Sequence, residues 1–338
     1  MVPIVDIAVT AIGRKFFHSF PRPRPSDTSK ELNAKGLAIL RLIKDIGLIV
    51  APETVEWQVP SLQDGTQRSI KYDQLRICFT ELHESELHQH AQRFGPFALE
   101  FEIGRLRQMG ALPVIYMPQQ VSAGDLSAIG PMLVMEIHHV EATIRMLEQL
   151  RVNTNERELL AANPGATNIA PECIVSLRNT EDDGATTNAF AIPIGAIRDV
   201  LTFIGFKNAP YAEMMNALGY VKNLFYPTDD AIHDETLAYY RQREWRICHG
   251  LTIANSVNSR PLSDVEKQRV IEIDERFWTT EIGTLPIRRI DMAQVIPHFG
   301  DGPVIDAIAR VFVPPETVHD ARQLFGDKVA SFDVLSTS

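Results

Sequence analysis

Cysteine is scarce: it occurs three times, as Cys78, Cys173 and Cys248, with no CxxC spacing. So few thiols make neither a disulfide framework nor a structural zinc site of the usual pattern, and a reducing cytosol is the expected compartment. Long apolar runs are missing too. The nearest one, AFAIPIGAIRDVLTFIGF, is broken by Pro193, Arg198 and Asp199, so no membrane span is expected. The opening MVPIVDIAVTAIGRKFF lacks the basic start, apolar stretch and small-residue cleavage site of a secretory signal. Neither GxxxxGK[ST] nor GxGxxG occurs, which excludes phosphate-cradling loops of those two kinds. GxSxG is absent as well, so a nucleophile elbow is not expected.

Basic charge is also in deficit. Against 43 acids stand 33 Lys and Arg, for a net charge of -10. Such a surface repels nucleic acid at long range and argues against a primary nucleic-acid binder, while leaving room for a local basic cleft. What the chain does have is apolar substance: 45% of 338 residues are hydrophobic, enough for a sizeable core.

Read along its length, the chain alternates strand and helix patterns. FFHSF (16–20) reads as a strand that ends in PRPRP, where alternate prolines force an extended loop. GLAILRLIKDIGLIV carries Leu37, Leu40, Ile43 and Ile46 at helical spacing, with Gly47 as its stop. LRICFTEL (75–82) is an apolar strand, ESELHQHAQRFG a polar helix closed by Gly95, FALEFE (97–102) a strand, IGRLRQMGA a short helix and LPVIYMP (112–118) a buried strand. Residues 122–150 have a helical pattern. NPGATN and NTEDDGATTN are turn clusters, and IGAIRDVLTFIG and YAEMMNALGYV are again helical. REWRI resumes a strand, and IARVFVPPETVHDARQLFG reads as strand, proline turn, helix. The expected fold is α+β: a single domain over 1–330 with a small mixed β-sheet and flanking helices. It is formed by 1–119 and 236–330 around a mainly helical insertion, 120–235.

The stretch QREWRI (242–247) carries the sharpest chemical signal. Side chains alternate along a strand, so Glu244 and Arg246 share one face while Trp245 and Ile247 share the other. Charges in a strand interior are costly unless paired. The charged face is therefore either an internal Glu244–Arg246 ion pair or part of a site. FFHSF and ICFTEL have the same character, with isolated polar side chains on an apolar background. Histidine clusters are weaker signals. His83, His88 and His90 are five and two residues apart and do not share one helix face, so a solvated polar helix is expected. His138 and Glu141, at i and i+3, are expected to be a hydrogen-bonded helix face rather than metal ligands. Cys78 is expected in the core.

The stretch ICFTELHESELHQHAQRFGPFALEFEIGRLRQMGALPVIYMP resembles the central signature of the abortive-infection (AbiGi-type) family of phage-resistance antitoxins. The likeness rests on Cys78-Phe79, His90, Phe94-Gly95, Phe97 to Phe101 and Pro113-Val114-Ile115-Tyr116. Phe94 replaces the family's usual tyrosine, and Glu100 is an unusual acid in its strand. With HSF upstream and REWRI downstream, the likeness spans most of 16–117 and 240–248. It implies a bacterial phage-defence role, in abortive infection or a toxin–antitoxin pair, with a partner toxin bound or blocked.

A second resemblance is to the ADP-ribosyltransferase plan: a histidine on an early strand, an aromatic strand, and a late glutamate. It implies NAD as substrate, with His18 and Ser19 as the NAD-holding pair, Phe79 on the aromatic strand and Glu244 as the catalytic acid. The plan's second turn has no match here. Breaking the nicotinamide–ribose bond puts positive charge on the sugar, which a carboxylate stabilises. Arg246, Arg76 or Arg93 would hold the pyrophosphate. Two roles thus stand side by side: NAD-dependent ADP-ribosyl transfer or NAD hydrolysis, and a non-catalytic antitoxin that binds its partner through the helical insertion.

Overall fold

The computed structural model describes residues 14–60, 66–118, 129–153, 172–178, 186–206, 210–228, 243–248, 252–253, 256–283 and 286–332. The first turn cluster, NPGATN, and most of the second lie outside these residues. The chain divides into two compact units, one of Met1–Leu133 with Tyr220–Ser338 and one of Val134–Gly219. Architecture is mixed α/β, with a mainly antiparallel open sheet in the first unit.

That sheet has ten strands, more than the small sheet expected. Its main path uses β1 (Arg14–Phe20), β2 (Leu48–Pro60), β3 (Gln67–His83) and β4 (Phe97–Phe101). Two short strands, β5 (Leu112–Pro113) and β6 (Ile115–Pro118), follow. Across the excursion the second unit contributes β7 (Glu172–Arg178) and β8 (Thr186–Pro193), and the chain returns with β9 (Phe225–Thr228) and β10 (Glu244–Cys248). The last sheet strands are β11 (Arg260–Pro261), β12 (Gln294–Ile296), β13 (Ile308–Val313) and β14 (Val329–Ser331). The order is β11-β12-β2-β3-β1-β4-β13-β14, with β10 joined to β3 and β5. Among the described residues, only β13 and β14 pair in parallel within it.

Helices cover the sheet where their apolar stripes dictate. Thr28 opens α1 (Ser29–Ile46) through a capping box with Glu31, which satisfies two otherwise orphaned donors. The apolar stripe then buries Leu40 and Ile43 in the main core, beside Phe79, Phe97 and Phe101. Gly47 stops the helix at a φ of 120°, and a Cβ there would stand 2.2 Å from the Ile296 carbonyl oxygen. Only glycine accepts both the backbone angle and the contact. Gly95 ends α2 (Leu87–Phe94) in the same way, at a φ of 121° with the Pro21 carbonyl 2.4 Å from a notional Cβ. That close approach lays α2 against the end of β1. Later helices α7 (Asp264–Ile273) and α8 (Glu275–Trp278) enclose a second cluster around Leu42, Leu262 and Ile290.

One sequence expectation changes, and one unread stretch gains a structure. LPVIYMP is not one buried strand but β5 and β6, in different sheets, with Leu112 36% and Ile115 45% exposed. Pro113 has no N–H to continue a ladder, so pairing breaks there. The stretch between residues 50 and 75, unread in the sequence, belongs to a long hairpin of β2 and β3. Val55, Trp57 and Val59 alternate inward at 2%, 0% and 1% exposure.

The second unit packs Ile144, Ile197, Leu201 and Phe206 between α4 (Ile129–Asn153), α5 (Ile194–Phe203) and α6 (Tyr211–Leu224). Beside these helices it holds the β7–β8 hairpin. The β-branched and aromatic residues of CIVSLR and TTNAFAI favour that pairing. No helix among the described residues is long and apolar enough to cross a membrane.

Candidate functional site

Parity along β3 and β10 builds the site. The ladder pairs Glu244 with Thr80, Trp245 with Phe79, Arg246 with Cys78 and Ile247 with Ile77. Cross-strand partners share a face, so Thr80, Cys78, Glu244 and Arg246 fall on one side. Phe79, Ile77, Trp245 and Ile247 fall on the other, inside or against the main core. The strand Glu244–Cys248 is thus packed on one face and charged on the other.

On the charged face, Arg246 Nε donates to Glu244 Oε1 at 2.6 Å. The guanidinium side chain is 2% exposed and the carboxylate side chain 11%. Tyr116, on β6, donates its hydroxyl to the second carboxylate oxygen. Burial pushes the Glu244 carboxyl up, but the adjoining Arg246 charge and the hydrogen bonds to it outweigh burial and hold it below the usual carboxylate range. Arg76 lies alongside. The Gln74 side-chain oxygen accepts from Arg76 Nη1 at 2.7 Å and from Arg246 Nη1 at 3.4 Å. Arg76 also pairs with Glu53. Both guanidinium carbons lie over the Tyr226 ring, at 4.8 and 4.5 Å from its centroid, a cation–π arrangement that orders two like charges side by side.

A second polar group meets the first from β1 and α2. Ser19 Oγ stands 3.1 Å from His90 Nδ1, and His90 Nε2 stands 3.1 Å from Thr80 Oγ1. A neutral imidazole donates through one nitrogen and accepts through the other, so each hydroxyl complements one ring nitrogen. Phe94 stacks on the same ring at 4.4 Å. His18, the next residue along β1, leaves on the opposite face from Ser19. Its Nδ1 lies 2.9 Å from the Cys78 carbonyl oxygen. A carbonyl only accepts, so Nδ1 carries the proton and Nε2 is the acceptor nitrogen. Burial lowers the His18 pKa despite that bond. Burial, with His18 nearby, takes His90 down to about 4.

Except for Gln74 and Tyr116, which stand behind the wall, these groups line one cleft of about 610 Å³. It brings together His18, Ser19, Glu244 and Arg246 of the residues expected from sequence. Arg76 and Arg93 line it too, joined by Arg22 and Glu53. Four arginines therefore face two carboxylates in a chain that is strongly acidic as a whole. Phe79 is not brought there. Its ring is 0% exposed and packs edge-on against Phe101 at 5.1 Å, so the expected cofactor contact is corrected to a core position. Cys78, expected in the core, lines the cleft instead. Burial and the Glu244 charge push its thiol up to about 12, which keeps it protonated and unreactive.

Sequence reading missed Tyr116 and Tyr226 as site residues and took His90 for a solvated helix histidine. The parallel pairing of β6 with β9 places both tyrosines, and no local pattern announces it. For His90 a signal existed: Ala91 and Leu87, on the same helix, are buried, and Gly95 turns that helix back onto β1. Glu100, the odd acid in its strand, is 3% exposed and paired with Arg310 Nη2 at 2.6 Å, a structural role. His138 Nδ1 and Glu141 stand 3.9 Å apart on α4. Among the described residues no group of three or more His, Cys, Asp or Glu could hold a metal ion.

The low His90 pKa predicts an acid-side loss of stability. The unfolded chain takes up a proton near pH 6.5, whereas the folded one resists until about 4. Between these values the unfolded state binds more protons, so stability falls as pH falls, by up to about 3 kcal/mol over the window. Urea unfolding at pH 7, 5.5 and 4 measures this. In His90→Gln the part of the slope due to this group vanishes; an unchanged slope would remove His90 as its cause.

Compared with family models, curated proteins and solved structures, the chain has no match in any of the three.

Proposed function

We propose that this chain is an NAD-consuming protein of bacterial phage defence, with an ADP-ribosyltransferase-like cleft that transfers or hydrolyses the ADP-ribosyl group. The observation that carries the reading is one cleft of about 610 Å³ whose wall holds Arg22, Arg76, Arg93 and Arg246 together with the Glu244 carboxylate. Its volume lies within the range of small-molecule sites, roughly 300–1,000 Å³. Concentrated positive charge in an acidic protein favours a phosphate-bearing ligand, and guanidinium forks suit pyrophosphate.

The chemistry then follows from the residues present. The nicotinamide–ribose bond breaks with its electrons going to the leaving ring, and the ribose carbon gains positive charge. Glu244, kept ionised by Arg246, faces that charge without having to acquire its own. Its lowered pKa suits electrostatic stabilisation better than proton uptake. A water or acceptor hydroxyl completes the reaction by bonding to the ribose carbon and losing its proton. Ser19 and His18 Nε2 offer hydroxyl and acceptor groups to the ribose or the carboxamide.

A specific observation also favours the partner-binding reading. On α5 and its C-cap, Val200, Phe203 and Ile204 are 57%, 91% and 50% exposed, at the i, i+3, i+4 spacing of one helix face. Apolar surface of this kind marks contact sites. The two readings separate as follows. NAD at a hundredfold excess over its dissociation constant should stabilise the fold by about 2.7 kcal/mol in thermal melts. Phage protection in cells should be lost in Glu244→Gln and kept in Phe203→Asp. No melting shift at millimolar NAD, with protection lost only in Phe203→Asp, would transfer the function to the α5 face.

A further inference from the structure

A second cavity, of about 540 Å³, lies between α1, the sheet and the α7–α8 corner. It shares Arg76, Glu53, Cys78, Arg22 and His18 with the cleft, but Glu244 and Arg246 do not line it. Much of its wall is apolar, with Ile39, Leu42 and Ile43 from α1, Val270 and Ile273 from α7, and Trp278 from α8. Protein interiors pack as densely as organic crystals. A chamber of this size is therefore a built feature rather than a packing flaw.

The remaining wall is cationic. Arg22, Arg24, Lys35, Arg76 and Arg289 face only Glu53 and Asp274. Both acids are already engaged: Glu53 by Arg76, and Asp274 by Arg24 at 2.7 Å and Lys35 at 3.7 Å. Among the described residues no carboxylate pairs with Arg289, whose Nη1 donates to the Phe277 carbonyl at 2.9 Å. Two buried guanidinium nitrogens in this wall, Arg76 Nε and Arg289 Nε, have no hydrogen-bond partner. Arg76 is 7% exposed. Buried donors of charged groups are costly to leave unsatisfied; these two mark guanidiniums that the fold does not saturate, on a wall where five cationic side chains meet two carboxylates already engaged. The alternate arginines of PRPRP belong to this arrangement. The rigid loop sets Arg22 and Arg24 on the chamber wall, and Arg22 on the cleft wall as well.

We propose that this chamber binds an amphipathic anion, a carboxylate or phosphate on an acyl chain or comparable apolar group. The apolar part lies against Ile39, Ile43, Ile273 and Trp278, and the anionic head takes hydrogen bonds from Arg289 and Arg76. The chamber shares Arg76 and Arg22 with the cleft, whereas Arg289 and the apolar wall belong to the chamber and do not line the cleft. Decanoate and decyl phosphate below their micelle-forming concentrations, and uncharged decanol below its solubility limit, test it by thermal melting and by tryptophan emission, to which Trp278 contributes alongside Trp57 and Trp245. Both anions, or the one whose head the site prefers, should raise the melting temperature, and decanol should bind at least tenfold more weakly. Arg289→Ala should weaken the anions at least tenfold and leave decanol unchanged, with Arg289→Lys partly restoring them. Ile273→Trp, which fills the chamber, should abolish all three. Should Ile273→Trp fail to fold, the Arg289 pair of variants decides alone. Equal binding of decanol and the anions, or anion binding indifferent to Arg289, overturns the proposal. So does the absence of any response. An NAD shift without a decyl phosphate shift leaves the proposed function standing and removes only this chamber; the opposite result does the reverse.

Discussion

Glu244→Gln should lower NAD turnover by roughly a hundredfold to a thousandfold, the usual cost of one preorganised electrostatic contact. Glutamine keeps an oxygen for Arg246 Nε and a partner for the Tyr116 hydroxyl, both of which the carboxylate serves in the folded protein. What it removes is the charge that meets the developing cation. Glu244→Ala should do more. Arg246 is 2% exposed on its side chain, so deleting its partner leaves a buried charge uncompensated, at about 3–5 kcal/mol of stability. Release of nicotinamide reports the first effect and urea unfolding the second. The pair of variants thus separates a carboxylate that serves only the fold from one that also serves a reaction. Full turnover in Glu244→Gln would remove it from the chemistry, and a Glu244→Ala unfolding curve that overlays the parent's would remove the ion pair from the fold's supports.

Phe79→Ala should be among the most destabilising single substitutions in the sheet. The ring is 0% exposed and sits against Phe101, His18 and the main core. Emptying such a position typically costs about 3–5 kcal/mol, from lost transfer energy plus the cavity left behind. Phe79→Leu should cost a fraction of that and fold well. Because the ring does not line the cleft, the NAD-induced melting shift of Phe79→Leu should equal the parent's. If that variant is stable but loses its response to NAD, the aromatic contact implied by the transferase resemblance is restored.

Residues 78 and 79 show why part of the site was legible and part was not. Parity within QREWRI needs only local chemistry, and it correctly separated Glu244 and Arg246 from Trp245 and Ile247. The part of α1 from Gly36 to Ile46 was legible for the same reason: its apolar spacing and its glycine stop are both local, while the first two turns from Ser29 carry no such stripe and went unread. Cys78 and Phe79 are different. Adjacent strand residues must face opposite ways, but which way is settled by the register between β3 and β10, more than 160 residues apart in sequence. That register sets Phe79 beside Trp245 and Cys78 beside Arg246. Tyr226 and Tyr116 reach the arginine pair and Glu244 through a parallel pairing across the whole excursion. His90 reaches Ser19 because α2 folds back on β1. Each depends on long-range closure, which a window of ten residues does not contain.

The β3–β10 pairing also sets a timetable. A ribosome that has released His83 must add a further 165 residues before Cys248 is made, roughly 8–33 s at ordinary synthesis rates. During that interval residues 76–80 of β3 lack the partner that will complete them, and the Arg76 and Gln74 side chains precede the carboxylate and the tyrosine ring that will organise them. An unpaired stretch of strand beside exposed phenylalanines is a template for wrong association. The cleft closes only when β10 arrives, so a chain truncated before Glu244 carries β1 to β5 of the sheet while lacking the acid on which its proposed chemistry depends.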